Sequence, residues 1–308
     1  MSIEFDAVTP AGIAFGTGRT FAHSTGSGAY RHAQVCIYMH DNAVISGTPT
    51  YGGINLSLID MALNTNVDGA RAYLYHLVDP LNGSNNLIYA LSGNTVNGAA
   101  IITRTGVDPN NPLGTSAKAD GNTSTPATVN VSSGEGELVV DSCAAAQDNP
   151  GTLTVGALQT SRALHATSAS YGFSYAASDE PGDASVTMSH QQTSGNPLAW
   201  AIVAVPLKPF ISARDRLIKY WASTLDPKGR IFDNKGRVIP ASLVEYDNWL
   251  RNEGPYFMTP KKHTSLIEAD PIGYLEAIKF NEDGRTQFIT ETETLLESLF
   301  RRLGARGA

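Results

Sequence analysis

The run Glu135-Gly-Glu137-Leu-Val-Val-Asp141 comes nearest to a reactive centre in this chain. Glycoside hydrolysis needs two carboxylates roughly 5–10 Å apart across a sugar. On a strand, Glu137 and Asp141 share a face, because side chains alternate with a period of two. Glu135 and Gly136 read as a turn, however, and no further acid follows on that face. The run predicts a solvated strand end, and no catalytic residue is assigned.

Other reactive patterns are missing. Six of the seven histidines, His23, His32, His40, His76, His165 and His190, fall in the first two thirds of the chain. None forms the H-x-H or H-E-x-x-H spacing that places two imidazoles on one ion. His32 and His40 share a strand face but lie roughly 26 Å apart along it. No metal ligand set is predicted and no cofactor is expected. Asp108-Pro-Asn-Asn111 and Asp179-Glu-Pro-Gly-Asp183 offer oxygen atoms that suit calcium, yet acidic turn residues ordinarily bond their own backbone. There is no Gly-x-Ser-x-Gly elbow and no phosphate-cradling glycine loop; Gly12–Gly18 and Gly26–Gly28 read as loops. The chain is therefore expected not to be an enzyme.

Aromatic side chains are the remaining candidates for ligand contact. Tyr30, Tyr51, Tyr171, Tyr175 and Trp200 lie in the first part. Trp200 sits in Ala-Trp-Ala-Ile-Val-Ala-Val and is expected to pack in the core. Tyr51 and Tyr171 lie near turns and are the candidates for stacking on a glycan. Trp221, Tyr246, Trp249, Tyr256 and Phe257 are many aromatics for the last 99 residues. A unit that small buries them poorly on its own, so they predict a docking interface.

These residues need a scaffold, and Arg71–Pro80 indicates which. Ala72, Leu74, His76 and Val78 alternate with Tyr73, Tyr75 and Leu77, with bulk on both sides. That pattern predicts a strand covered on both faces. Pro80 ends it, since proline donates nothing to a sheet ladder. Short runs of the same kind recur: Ile3–Val8, Ala33–Met39, Asn55–Ile59, Asn86–Leu91, Ala99–Gly106, Ala127–Val131, Glu137–Cys143, Thr152–Val155, Ser170–Tyr175, Ser185–His190 and Ala199–Leu207. Turn signals such as Tyr51-Gly-Gly53, Pro80-Leu-Asn-Gly83 and Asp120-Gly121 separate them, and Asn110–Thr125 reads as a surface loop. The spacing predicts an all-β sandwich or barrel.

Charge divides the chain. Residues 1–209 hold 7 Lys+Arg and 15 Asp+Glu, and residues 210–308 hold 15 and 14. The jump in charge density places a boundary at Pro206–Pro209, giving domains 1–209 and 210–308. The second is predicted to be small and α+β, with helices over Ala213–Ser223, Ala241–Asn252 and Glu291–Gly304. Asp226–Phe232 and Asp233–Ile239 each place glycine fourth in a polar turn, which predicts hairpins. Net charge is −7, which argues against nucleic acid as a main partner. Hydrophobic residues make up 42%, enough for a sizeable core. Met1–Asp6 lacks the features of an export signal. No apolar run reaches the roughly 20 residues that span a bilayer, so no membrane insertion is expected. Cys36 and Cys143 are expected to be buried free thiols.

Tyr51-Gly-Gly, Tyr73-Leu-Tyr-His-Leu-Val-Asp-Pro80, Thr105-Gly-Val-Asp108, Gly136-Glu-Leu-Val-Val-Asp141 and Trp200-Ala-Ile-Val-Ala-Val-Pro-Leu-Lys-Pro209 occur in this order. Together they resemble a jelly-roll module of the concanavalin A-like lectin/glucanase type, found in phage virion structural proteins and bacterial surface proteins. The resemblance covers about two thirds of the chain. It implies a mainly β protein, an antiparallel jelly-roll β-sandwich followed by the small α+β domain. It further implies a non-enzymatic virion component of head or tail, made in the host cytoplasm, with other virion proteins and further copies of itself as partners. The alternative it leaves open is a lectin-like, carbohydrate-binding module for a host surface glycan.

Overall fold

The computed structural model describes residues 2–40, 43–65, 69–122, 126–147, 152–165, 172–192 and 197–211, with 231–232 and 238–239. The chain divides into two units, Met1–Phe210 and Ile211–Ala308. No helix occurs among the described residues, and the sheets are antiparallel throughout.

The described residues of the first unit form fifteen strands: β1 (Glu4–Thr25), β2 (His32–His40), β3 (Ile45–Tyr51), β4 (Ile54–Asn55), β5 (Ser57–Leu63), β6 (Ala70–Val78), β7 (Gly83–Thr105), β8 (Ala117–Gly121), β9 (Ala127–Val131), β10 (Leu138–Gln147), β11 (Leu153–Val155), β12 (Thr160–His165), β13 (Phe173–Pro181), β14 (Val186–Gln192) and β15 (Pro197–Leu207). They pack as four layers around three cores. The second layer joins the first half of β1, the second half of β7, β2, β6 and β5. The third runs β12-β13-β10-β15-β8, and the fourth runs β11-β14-β9.

The first layer is made largely from strands that also serve the second. β1 and β7 pair along nearly their whole lengths as one ribbon. The pairing shifts between Gly16 and Gly18. Beyond that point Gly18–Thr25 and Gly83–Ala90, with β3 and β4, lie over the outer face of the second layer. Gly18 has φ +139°, and a Cβ there would meet the Tyr89 carbonyl oxygen at 2.2 Å, so only glycine fits the bend.

The alternation in β6 agrees with this layering. Tyr73 and Tyr75 enter the core under the first layer, beside Ile37, Leu87 and Ile101. Ala72 and Leu74 enter the central core, against Val140, Ala144 and Val203 of the third layer. The other face of the third layer carries Val139, Cys143, Ala145 and Ile202, covered by Val129, Val186 and Met188 of the fourth. Gly98 permits the closest approach in the central core, since a Cβ there would strike the Tyr175 ring at 2.5 Å.

Several elements differ from the sequence-based expectation. Gly12–Gly18 is strand rather than loop, because β7 supplies hydrogen-bond partners on either side of the bulges. The expected strands Asn86–Leu91 and Ala99–Gly106 fall, up to Thr105, within one strand, β7. Within Asn110–Thr125, Ala117–Gly121 pairs with β15 and forms an edge strand, so Asp120-Gly121 is strand end and not turn. Strands β3 and β12 lacked a readable alternation. Cys36 and Cys143 are buried free thiols, as expected.

In the second unit, β16 (Ile231–Phe232) pairs antiparallel with β17 (Val238–Ile239). The three expected helices lie outside the described residues.

Leu74 is fully buried in the central core, whereas Ile88 is 48% exposed on the outermost face. Leu74→Ala should lower stability by about 2–5 kcal/mol. Ile88→Thr should change it by less than about 0.5 kcal/mol. Urea unfolding followed by far-ultraviolet circular dichroism measures both.

Candidate functional site

Where chemistry-bearing residues converge, they do so inside the molecule. Asp141 lies mid-strand on β10, with its side chain on the face toward the fourth layer. Its Oδ1 accepts the Ser178 amide at 2.6 Å, and its Oδ2 accepts the Ser178 hydroxyl at 2.9 Å. His190 Nε2 lies 2.6 Å from the same Oδ2. A carboxylate only accepts, so the His190 ring proton on that side sits on Nε2. Gln159 Nε2 donates to the Ser178 hydroxyl at 2.7 Å, and its Oε1 accepts the amides of Gly156 and Ser189.

The network crosses the third layer through the β10 backbone. The Asp141 carbonyl accepts Gln34 Nε2 at 2.7 Å from the second layer. Gln34 Oε1 accepts from Arg104 at 2.7 Å, and Arg104 donates to Asp179 Oδ2 at 2.8 Å. Arg162 reaches the same oxygen at 2.7 Å and lies 4.5 Å over the Phe5 ring. Gln34, Arg104, Asp141, Ser178 and His190 are all 0% exposed. Burial lowers the Arg104 pKa, and the Asp179 carboxylate opposes that by holding the charge.

Serine, histidine and aspartate thus meet, but not as a nucleophile with its base. Nucleophilic catalysis needs the imidazole to take the hydroxyl proton. Here serine and histidine both donate to the carboxylate, and Ser178 spends its proton there. The cluster is closed to solvent on every side. Its chemistry is that of a core connector, in which most of the buried polar groups satisfy one another, although His190 Nδ1 and Arg104 Nε have no hydrogen-bond partner among the described residues.

The candidates named from sequence fall elsewhere. Tyr51 is 1% exposed, so its ring offers no face to a sugar, which corrects its assignment as a stacking residue. Alternation turns it inward: its hydroxyl donates to the His23 carbonyl at 3.1 Å and accepts from Thr25 at 2.9 Å. Tyr171 lies outside the described residues, as do Trp221, Tyr246, Trp249, Tyr256 and Phe257. Trp200 is buried, as expected. Tyr175 is buried with its hydroxyl on the Ala11 carbonyl, and Tyr30 is stacked on Phe210 with centroids 3.7 Å apart.

The acids are likewise committed. Glu137 is not a partner for Asp141; its Oε2 accepts the Gly134 amide and closes the turn. Asp179 serves two arginines, while Asp108 and Asp183 accept amides one or two residues on. Among the described residues, no group of three or more His, Cys, Asp or Glu is placed to hold a metal ion. The Cys36 thiol is pushed up to about 11 by burial, which makes it a poor nucleophile at neutral pH.

The outward faces have a different character. The outermost face of the first layer presents Thr20, Ala22, Ser24, Ser84, Asn86, Ile88 and Ala90. That of the fourth presents Thr128, Asn130, Thr154, Thr187 and Gln191. Neither set includes a charge. Paired charges lie instead at strand edges and ends, as in Lys118–Asp60 at 2.8 Å and Arg31–Asp79 at 2.6 Å.

No family model, no curated protein and no solved structure matches this chain.

Asp141→Ala would strand the Ser178 amide and hydroxyl and the His190 ring together, and should cost about 3–5 kcal/mol. Ser178→Ala leaves the carboxylate paired to His190 and should cost about 1–2 kcal/mol. Urea unfolding of the two variants, compared with the unmodified protein, tests the order and the size of the effects.

Proposed function

We propose that the chain is a non-enzymatic structural component of a phage virion. In this reading the β-layered unit faces outward, and the last 99 residues dock to other virion proteins or to further copies of the chain. The jelly-roll likeness of residues 1–209 and the α+β character of residues 210–308 belong to the same proposal. The observation that carries it is the pair of uncharged outermost faces on a four-layer body whose polar clusters are buried inside. A surface of hydroxyl and amide groups suits contact with protein or solvent over a broad area, without the strong fields that attract charged ligands. The net negative charge is unfavourable for a direct contact with nucleic acid.

The glycan-binding alternative loses one of its two aromatic contacts with the burial of Tyr51. Purified particles should contain this chain in a copy number set by symmetry, as read by quantitative mass spectrometry; its absence from them overturns the proposal. Deleting residues 211–308 should leave a folded β unit that no longer incorporates. Incorporation of the truncated chain would remove the docking role from that segment. Saturable binding of a neutral oligosaccharide by the full chain on a glycan array would favour the alternative instead.

A further inference from the structure

Several buried polar atoms in the first unit have no hydrogen-bond partner among the described residues, and three of the side chains that carry them meet where the two middle layers face each other. His32 opens β2 and is 1% exposed, yet neither ring nitrogen has a hydrogen-bond partner among the described residues. His76 on β6 lies beside it, with ring centroids 5.4 Å apart and planes 28° apart, and its Nδ1 is also unpartnered. Arg104 is directly across from His32 on β7, and its Nε is unpartnered too. All three point toward the third layer, along with Gln34 and Cys36.

The surrounding charges do not help a proton to bind there. On β2, Gln34 is neutral and already bonded to Arg104 and to the Asp141 carbonyl. Cys36 keeps its thiol protonated at neutral pH. From the third layer, the Asp179 carboxylate of β13 is occupied by Arg104 and by Arg162 of β12. The Asp141 carboxylate of β10 is turned to the opposite face and held by Ser178 and His190. Neither His32 nor His76 has an ion-pair partner among the described residues.

We propose that His32 and His76 form an acid-sensitive latch whose protonation separates the second layer from the third. Two imidazolium rings 5.4 Å apart beside a guanidinium place three like charges together, with His32 and Arg104 fully buried and His76 partly so, and no free acid among the described residues faces them. The direction of titration agrees. Burial pushes both histidines below the ordinary value of 6.5, and Arg104 and His76 add to the effect at His32. A depressed histidine gives stability that is complete above about pH 6.5 and is lost as pH falls below it, because the opened state takes up the protons.

Cys36 reports on this interface, and Cys143 reports on the next one, between the third and fourth layers. The test treats the full chain with 4,4′-dithiodipyridine at pH 7.5 and pH 5.0 and locates the label by mass spectrometry. Rates are divided by those of an unstructured cysteine peptide at the same pH. The normalised Cys36 rate should rise at least tenfold at pH 5.0 and exceed the rise at Cys143. In His32→Gln/His76→Gln the rise should vanish while protection at pH 7.5 remains. A Cys36 rate that is no higher at pH 5.0 than at pH 7.5, or an acid rise that persists in the double variant, overturns the latch. Should the double variant be unprotected already at pH 7.5, the imidazole resonances of the wild-type chain decide. Titration of His32 and His76 in step with Cys36 labelling supports the proposal. Titration out of step with labelling, or none at all over that range, overturns it.

Discussion

Two consecutive sheets with both faces buried set the terms for the rest of the first unit. A sheet covered on one side alternates apolar and polar residues, but one covered on both sides has no place for charge on either. The strands of the middle layers obey this rule. Ala99–Ile102, Val139–Val140 and Ala199–Val205 run through without a charged residue, and all are buried. Alanine is frequent on the central face, at positions 72, 100, 144, 146, 177, 199 and 201, which lets the two sheets approach closely. The few charged residues that remain inside, Arg71, Arg104, Asp141 and Asp179, are therefore costly to place and must be compensated.

That compensation has a geometric consequence. Stacked apolar sheets resist separation but offer little resistance to sliding, because the hydrophobic effect has no direction. The chain of bonds from His190 through Asp141 and Gln34 to Arg104 and Asp179 spans the second, third and fourth layers. A one-residue slip of β10 would turn Asp141 into the central core and break every one of its side-chain bonds. The network thus defines a single alignment of layers that the apolar contacts alone would leave degenerate.

Much of the strand content was legible, and for a physical reason: alternation survives wherever two faces differ in bulk, as in Arg71–Val78. It failed where bulges and glycines interrupt the period, in Gly12–Gly18 and at β12, and where an edge strand has weak patterning, as in Ala117–Gly121. The four-layer order is a property of the bend in β1 and β7, and a bend leaves only a scattered glycine signal. The polar network was less visible still. Local reading of Glu135–Asp141 predicts a solvated strand end because it sees Glu135 and Glu137, not Ser178 and His190 many residues away. A signal did exist: an acid set in Leu-Val-Val-Asp-Ser-Cys, and a histidine continuing Val186-x-Met188, are polar residues on strand faces that are otherwise apolar. Tyr51 misled for the complementary reason, since a residue beside a turn is exposed only when its side of the strand faces out.

The shared ribbon of β1 and β7 also constrains how the chain is born. Residues 4–25 find their partners in residues 83–105, so β1 has nothing to pair with along most of its length until β7 has been synthesised. β10 must wait longer, because it is flanked by β13 and β15, the latter ending at Leu207. Loop closures of this length make assembly slow and leave unpaired strand edges exposed in the meantime. A nascent chain of this design would depend on holding factors in the cell, and its yield would be limited by kinetics rather than by the stability of the finished stack.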